Sequence, residues 1–442
     1  MESDVQGQFF PADLQNQIRD RFMLVDDDGR GKPRLYFENA GGSLRLKSAL
    51  DALVRTDQMP DASGRIHETA DLLKQIQQQG ADDLRVILNA TGGAVYASLT
   101  ATAAMFAMIR AIAENVPGRN MVTTVLEHPS SFDAMSTYAA KLGRELRVAP
   151  SNPVTGGVDV EAIVRLIDDD TCVLCVIQAS NISGAKLDIE EIVRRARAVK
   201  HDLFIVVDAV QHAPHGTIDL QRAPVDGINI APYKFFGARG SGFCWLSERA
   251  ANLSHDQLSG KPSDYWDLGS SAPWQFAVLS EIVNYICWLG VQLGSSGGRR
   301  AQFAAGMKGI ELHERALLWR MLEGTDTLSG LRRLPNLTVH LDYEDLTKRD
   351  LIVSIGFQHL DPASAVKEYE RRGVIVYERV TTSLYSKRML ESFGLSGAVR
   401  ISPLHCHHAD DIDKFLKVTA ELSTLKNRLA ASHVGDAATP TG

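Results

Sequence analysis

The sequence predicts an α/β fold in which a mostly parallel sheet is covered by helices on both faces. Short, continuous apolar runs such as TCVLCVIQAS (171–180) and LFIVVDAV (203–210) are typical of strands that are buried on both faces. Amphipathic stretches such as IEEIVRRARAVKHD (189–202) separate these runs and have the period of a helix. Strands that alternate with helices of this length indicate parallel pairing through crossover connections.

The elements follow one another along the first two thirds of the chain. The predicted strands are RVILNA (85–90), NMVTTVLE (120–127), TCVLCVIQAS (171–180), LFIVVDAV (203–210), GINIAPYK (227–234) and GFCWLS (242–247). Helices are expected at AVYASLTATAAMFAMIRAIAE (94–114), SSFDAMSTYAAKLG (130–143) and IEEIVRRARAVKHD (189–202). After about residue 290 the pattern changes to one long helical stretch and shorter mixed elements, which indicates a smaller α+β domain.

Four segments are therefore expected. Residues 1–35 form an N-terminal arm, 36–290 a large domain, 291–430 a small C-terminal domain, and 431–442 a polar, disordered tail.

Composition narrows the class of protein. The 442 residues carry a formal net charge of −7, which argues against a general binder of nucleic acid or of membrane surfaces. No apolar stretch is long enough to span a bilayer, and the first residues do not resemble a secretory signal. Five cysteines in so long a chain do not form a disulfide framework, so a cytoplasmic location is expected. We expect no metal site, because the adjacent histidines of HCHH (405–408) point in alternating directions on an extended chain.

Polar residues stand at the C-terminal ends of several of the apolar runs. They are NATGG (89–93), EHPSS (127–131), QASNISG (178–184), DAVQH (208–212) and APYK (231–234). Ligands of open α/β sheets collect at the carboxyl ends of the strands, so these segments are expected to meet in one site.

Asp208 and Lys234 suggest which cofactor this site holds. Each ends an apolar strand, and a lysine between aromatic residues in such a setting is expected to lose its proton readily. Pyridoxal phosphate needs a carboxylate beside its pyridine nitrogen and a lysine amine that forms an imine with its aldehyde. An ordinary helix cap or turn would also account for Asp208 considered alone.

The sequence resembles the class V aminotransferases, a family of fold-type I enzymes that depend on pyridoxal phosphate, and in particular its cysteine-desulfurase-like branch. The matching segments are YFENAGGS (36–43), ATGGA (90–94), EHPSS (127–131), SNISG (180–184), DAVQHAPHGTIDL (208–220), PYKFFG (232–237) and VRISPLH (399–405). The resemblance implies a large domain with a mostly parallel seven-stranded sheet, a small C-terminal α+β domain, and a homodimer with composite active sites that acts on an amino acid as its small-molecule substrate.

The resemblance also assigns the cofactor contacts. Lys234 would form the imine (Schiff base), Asp208 would pair with the pyridine nitrogen, and His128 would stack on the ring. Gln211, with Asn181, would bind the phenolic oxygen of the ring.

The phosphate contacts follow from the same comparison. Thr91 and Gly92 would bind the phosphate, and Ser270 would reach the phosphate of the neighbouring subunit. The family usually has a serine and a histidine just before the lysine, where this chain has Ala231 and Tyr233. Tyr233 can still donate a hydrogen bond, so the phosphate contacts are partly redistributed.

Substrate contacts are implied at both ends of the chain. Arg400 would form a bidentate pair with the α-carboxylate, a geometry that suits a guanidinium group. Asn39 and Ala40 would approach the substrate from the N-terminal side, and Arg379 is a further candidate for a substrate side chain.

The resemblance fails at the residue that defines a cysteine desulfurase. The loop ERVTTSLYSKRM (378–389), where the family carries its mobile persulfide-forming cysteine, contains none. β-Elimination by a C–S lyase needs no such cysteine and is therefore our first expectation. An aminotransferase, a specialised biosynthetic enzyme, a desulfurase that uses another cysteine such as Cys406, and a non-catalytic protein that binds pyridoxal phosphate remain alternatives.

Overall fold

The computed structural model describes residues 5–60 and 64–425. Its strands are β1 Leu35–Tyr36, β2 Ala94–Ser98, β3 Asn120–Thr124, β4 Glu145–Ala149, β5 Thr171–Ile177, β6 Phe204–Asp208, β7 Gly227–Ile230, β8 Gly242–Leu246, β9 Leu337–His340, β10 Val353–Phe357, β11 Val374–Ile375, β12 Tyr377–Val380 and β13 Gly397–Ile401. The predicted tail 431–442 lies outside the described residues.

Seven of these strands form the main sheet in the order β2-β8-β7-β6-β5-β3-β4. Strand β8 runs antiparallel to both of its neighbours, and the remaining pairs are parallel. The prediction of a mostly parallel seven-stranded α/β sheet is confirmed. Because β2 and β7 are both antiparallel to β8, β2 ends at the same edge of the sheet as β3, β5, β6 and β7.

Helices cover the sheet and connect its strands. Those of the N-terminal two thirds are Ala12–Asp20, Lys47–Asp57, Glu68–Leu88, Ala101–Asn115, Pro129–Lys141, Val160–Val164, Ile189–Val199, Glu248–Ala251 and Pro273–Gln292. Those that follow are Arg299–Glu323, Pro362–Arg371, Lys387–Ser392 and Ala409–Ser423. None of the described helices is both long and apolar enough to cross a bilayer.

The first predicted strand is wrong. Residues 85–90 form the last turn of the helix Glu68–Leu88 and the residues that follow it. Asn89 ends this helix in the left-handed conformation, with φ 51°. The apolar run that suggested a strand is the buried face of the last helical turn, and the first strand of the sheet, β2, begins only at Ala94.

A second sheet lies in the C-terminal third. It is antiparallel, in the order β12-β13-β10-β9, and it places Arg379 on β12 and Arg400 on β13. Near the N-terminus, β1 pairs in parallel with β11, which brings residues 36–45 close to this sheet. The segments at the two ends of the chain therefore lie beside each other.

Candidate active site

A cavity of about 390 Å³ lies at the edge where the parallel strands end. We call it the cofactor cavity. Its lining includes Gly41, Leu99, Thr100, Ala101, Thr102, His128, Ser130, Asn181, Asp208, Gln211, Tyr233, Lys234, Arg239, Gly240, Ser241 and Tyr385. The structure therefore brings together the predicted residues His128, Asn181, Asp208, Gln211, Tyr233 and Lys234.

Lys234 ends a short 3₁₀ turn, Pro232–Lys234, that follows β7. Its side chain is buried, and its Nζ lies 3.5 Å from Gln211 Oε1. Burial, followed by repulsion from Arg400, lowers the pKa of Lys234 to about 8. Roughly a tenth of the amine is therefore neutral at pH 7, and only this form can act as a nucleophile or a base.

Asp208 is the last residue of β6 and is buried. Its Oδ2 accepts hydrogen bonds from Ser131 Oγ at 3.0 Å and Ser130 Oγ at 3.3 Å, and its Oδ1 accepts from the backbone N–H of Val210 at 3.1 Å. Burial raises the pKa of Asp208, whereas these hydrogen bonds favour the carboxylate. The result is a fixed carboxyl group in the lining of the cavity.

His128 caps the helix Pro129–Lys141. Its Nδ1 accepts from the backbone N–H of Ser130 at 3.2 Å, so the ring is held in place. Burial, and secondarily Lys234, lowers the pKa of His128 to about 3, so the imidazole is neutral in the physiological range. Its ring centroid lies 6.0 Å from that of Tyr385, in the loop where the family has its cysteine.

The predicted phosphate contact needs a correction. Thr91 and Gly92 come before β2 and thus lie at the opposite edge of the sheet, where Thr91 lines a separate cavity with Arg197 and Glu248. The glycines of NATGG serve another purpose: Gly92 and Gly93 have φ +72° and +73° and lead the chain from a helix into β2.

The candidate anion-binding end of the cofactor cavity is instead the start of the helix Ala101–Asn115, where Thr100, Ala101 and Thr102 line the cavity. Thr100 caps this helix, its Oγ1 accepting from the backbone N–H of Ala103 at 3.0 Å. A Cβ at Gly242 would overlap the backbone of Ala101, so glycine is needed where β8 passes this helix end. The unpaired N–H groups and the dipole of a helix N-terminus favour a phosphate. A threonine directly before an apolar helical run was the sequence signal for this site.

Two buried polar atoms of this cavity have no hydrogen-bond partner among the described residues. They are Asn181 Oδ1 and Ser241 Oγ. Ser241 lies at the same end as Thr100, whereas Asn181 lies with Gln211 among the strand-end residues. A buried polar atom without a partner is costly, so both indicate a polar ligand.

The predicted substrate-binding residues lie beside this cavity. Arg400 is almost fully buried; its Nη1 donates to the backbone oxygen of Asn181 at 2.9 Å and its Nη2 to Glu38 Oε1 at 2.7 Å, while its Nε has no partner among the described residues. Arg379 donates from Nη2 to the backbone oxygen of Tyr385 at 2.8 Å. The sequence did not suggest Glu38, which occupies one side of the guanidinium of Arg400.

Asn39 and Ala40 hold the N-terminal segment in place. Asn39 Nδ2 donates to the backbone oxygen of Ser402 at 2.9 Å, and its Oδ1 accepts from the backbone N–H of Leu44 at 2.9 Å. The backbone N–H of Ala40 donates to Ser402 Oγ at 3.0 Å. Nδ2 also donates to the backbone oxygen of Tyr36 at 3.0 Å, so both amide hydrogens of Asn39 are in use and only its oxygen has a free lone pair. The substrate contacts of Asn39 and Ala40 stay predictions.

Ser270 does not line the cofactor cavity of its own chain. It is exposed, in the loop before the helix Pro273–Gln292. Its predicted role needs a second subunit and stays a prediction.

The cavity fits pyridoxal phosphate. It has a buried lysine amine, a fixed carboxylate, a flat neutral imidazole and a helix N-terminus beside an unpartnered hydroxyl. An α/β fold with such a site defines an enzyme of fold type I that uses this cofactor.

Comparisons with known proteins support this class. The sequence model of the aminotransferase class-V family matches residues 35–415, so the chain belongs to that family. A probable cysteine desulfurase 2 of Mycobacterium leprae is 24% identical over 343 residues, which cover 73% of this chain and 78% of the relative. The cysteine desulfurase of Thermococcus onnurineus NA1 superimposes with a TM-score of 0.77 at 18% identity, over 92% of this chain and 98% of that one. The cysteine desulfurase CsdA of Escherichia coli gives a TM-score of 0.75 at 16% identity, over 94% of this chain and 98% of that one.

The protein is therefore a pyridoxal-phosphate-dependent enzyme of the class V family. When bound, the cofactor supplies an electron sink that stabilises negative charge at the α-carbon of an amino acid. Lys234 would hold it covalently, Asp208 would keep its ring nitrogen protonated, and Thr100, Thr102 and Ser241 would contact its phosphate.

Proposed function

We propose that the protein is a C–S lyase that catalyses β-elimination from an amino acid with sulfur on its β-carbon. The observation that carries this proposal is the absence of a usable thiol at the site. All five cysteines lie among the described residues and are buried, and none lines the cofactor cavity. Burial raises the pKa of each of them, which disfavours the thiolate that a persulfide carrier needs.

With the cofactor bound as the electron sink, elimination needs no protein group beyond those present. The neutral amine of Lys234 removes the proton from the α-carbon, and the Cβ–S bond breaks with its electron pair leaving on sulfur. The unsaturated amino acid that results hydrolyses to an α-keto acid and ammonia. Sulfur leaves as a thiol, so neither a protein acceptor nor an external oxidant or reductant takes part.

Other side chains orient the reactants. Arg400 has an unpartnered Nε and a geometry suited to an α-carboxylate. His128 is neutral and lines the cavity, where its ring would stack on the cofactor. Tyr385, 61% exposed, stands at the mouth where a desulfurase would present its cysteine.

An aminotransferase is the second candidate, because the same lysine could return the proton to another carbon. The observation that favours an aminotransferase is the match to the family model of class V aminotransferases.

Turnover of L-cysteine and of S-alkyl cysteines distinguishes the candidates. Sulfide or thiol should appear together with the keto acid in equal amounts, and Lys234→Ala should abolish both. Alanine with protein-bound sulfur, detected by mass spectrometry of the intact protein, would overturn the proposal in favour of a desulfurase, and Cys406→Ser would then identify or exclude Cys406 as the carrier. Conversion of the cofactor to its amine form would indicate an aminotransferase. Cofactor that is retained while no amino acid is consumed would indicate a non-catalytic protein.

We also propose that the enzyme is a homodimer in the cytoplasm, with Ser270 of each subunit contacting the phosphate in the other. The free thiols of all five cysteines suit a reducing compartment. Mixing Lys234→Ala and Ser270→Ala subunits tests the shared site. If Ser270 acts across the interface, one of the two sites of each mixed dimer combines both defects and the other has neither, so activity should recover over the separate variants. If Ser270 acts within its own subunit, every site carries one defect and no recovery is expected.

A further inference from the structure

A second cavity, of about 690 Å³, adjoins the cofactor cavity. We call it the outer cavity. The linings of the two cavities share Gly41 and Arg239, so the cavities lie side by side. The charged residues that line the outer cavity are Arg34, Glu38, Arg45, Arg239, Arg379 and Arg400.

The positive charge of the outer cavity is not balanced within it. Glu38 is the acidic residue of its lining, and this carboxylate is already paired with Arg400 at 2.7 Å. Asp27 and Asp28 are close enough to Arg34 to favour its charged form, but neither lines the cavity. The other arginines repel one another: Arg239 lowers the pKa of Arg45, after burial as the main cause.

The arginines are held in place without using all of their donors. Arg34 Nη1 and Arg379 Nε are buried and have no hydrogen-bond partner among the described residues. The guanidinium of Arg239 stacks 4.0 Å from the ring centroid of Tyr233, and Arg45 is fixed by a 2.7 Å hydrogen bond from Nη1 to the backbone oxygen of Gly237. Fixed, partly unsatisfied guanidinium groups form a site for an anion.

The position of the outer cavity relates it to the substrate. Arg400, the predicted ligand of the α-carboxylate, lies in its wall, and both Arg400 and Arg379 lower the pKa of Lys234 through their charge. A substrate whose α-carbon lies near Lys234 can therefore direct its side chain toward Arg34, Arg45 and Arg239.

We propose that the outer cavity binds a second anionic group of the substrate, so that the enzyme acts on an amino acid with an acidic group at the far end of its side chain. This inference rests on the proposed function, because it assigns the side chain of the same amino acid. Arg239, at the junction of the two cavities, and Arg45 are the residues that select for the charge.

Binding of a matched ligand pair tests this inference. S-carboxyethyl-L-cysteine and its carboxamide have the same shape and differ in one charge. We measure their dissociation constants for the holoenzyme by calorimetry, and we assay thiol and keto acid separately. The acid should bind at least about tenfold more tightly, as expected for hydrogen bonds to a charged group, and the preference should decrease with added salt.

Substitutions of single arginines test which residues cause the preference for the acid. Arg45→Gln, which lies outside the cofactor cavity, should reduce the preference for the acid without changing the affinity for the carboxamide. Arg239→Gln should also reduce this preference. Arg55→Gln, an exposed arginine on the helix Lys47–Asp57, is the matched control and should leave the preference unchanged.

The outcomes separate this inference from the proposed reaction. The inference is overturned if the acid and the carboxamide bind with equal affinity, even if the enzyme cleaves both. It is also overturned if neither ligand binds measurably. A preference for the acid without release of thiol supports the inference and refutes the lyase reaction.

Discussion

Ser241 offers the sharpest test of where the phosphate of the cofactor binds. The residue is 2% exposed, and its Oγ has no partner among the described residues although it lines the cofactor cavity with Thr100 and Thr102. The family's usual serine before the lysine is Ala231 in this chain, and a hydroxyl at Ser241 would replace the missing donor.

The expected effect of Ser241→Ala follows from the hydrogen bond that would be lost. A hydrogen bond to a charged group contributes about 1.5–3 kcal/mol, which corresponds to a loss of affinity of about 10- to 150-fold. Pyridoxal, which lacks the phosphate, should bind the variant and the original protein equally. The cofactor-free variant should be as stable as the original or slightly more stable, because the substitution removes a buried polar atom without a partner.

Equilibrium dialysis with each compound, read by visible absorbance, measures these affinities. Ser280→Ala is the matched control: its Oγ is also buried without a partner among the described residues, but it lies in the helix Pro273–Gln292, outside the cofactor cavity. If Ser241→Ala weakens pyridoxal and pyridoxal phosphate equally, or weakens neither, the assignment of the phosphate to this end of the cavity is refuted.

Three further predictions concern the same cavity. Because burial disfavours the ammonium form of Lys234 and lowers its pKa to about 8, the rate of covalent cofactor uptake by the cofactor-free protein should rise about tenfold per pH unit below pH 8 and level off above pH 9; stopped-flow absorbance measures this, and a continued rise to pH 10 would contradict the lowered pKa. His128→Phe should keep most of the cofactor affinity, because the site needs a flat ring and not a charge. His128→Ala should weaken cofactor binding by about 0.5–1.5 kcal/mol, as measured by equilibrium dialysis. Equal losses in the two variants would argue for a polar role of His128. Gly242→Ala should destabilise the protein by about 1–3 kcal/mol in denaturant unfolding, since its Cβ would overlap the backbone of Ala101; an unchanged midpoint would show that this helix end can shift freely.

The strand-end chemistry could be predicted from the sequence because each of its parts is local. A buried strand is a continuous apolar run, and the polar residue at or just beyond its end is visible in the same segment. Asp208 ends β6, and Lys234 follows β7 in the turn Pro232–Lys234. Once the strands are known to be parallel, their carboxyl ends must share one edge, so the meeting of His128, Asp208 and Lys234 follows without knowledge of the strand order.

The phosphate end was misplaced because an apolar run does not distinguish a strand from the buried face of a helix. Residues 85–88 close a helix of 21 residues, and only the length of the whole periodic stretch, from Glu68 to Leu88, would have shown it. Reading them as a strand displaced only the phosphate contact, which was assigned to Thr91 and Gly92 at the start of β2 and not to the cavity lining around Thr100 at its end.

The outer cavity could not be predicted because no single segment contains it. Arg34 and Arg45 come from the N-terminal segment, Arg239 follows the lysine, and Arg379 and Arg400 lie on β12 and β13. Each arginine is unremarkable in its own stretch of sequence. The pairing of β1 with β11 brings the N-terminal segment to the second sheet, and only there do these arginines line one cavity. Repulsion among like charges is a cost that this fold bears without a ligand, and a bound anion would remove it. The charges that the cofactor chemistry does not use are therefore the best available indication of what the substrate carries.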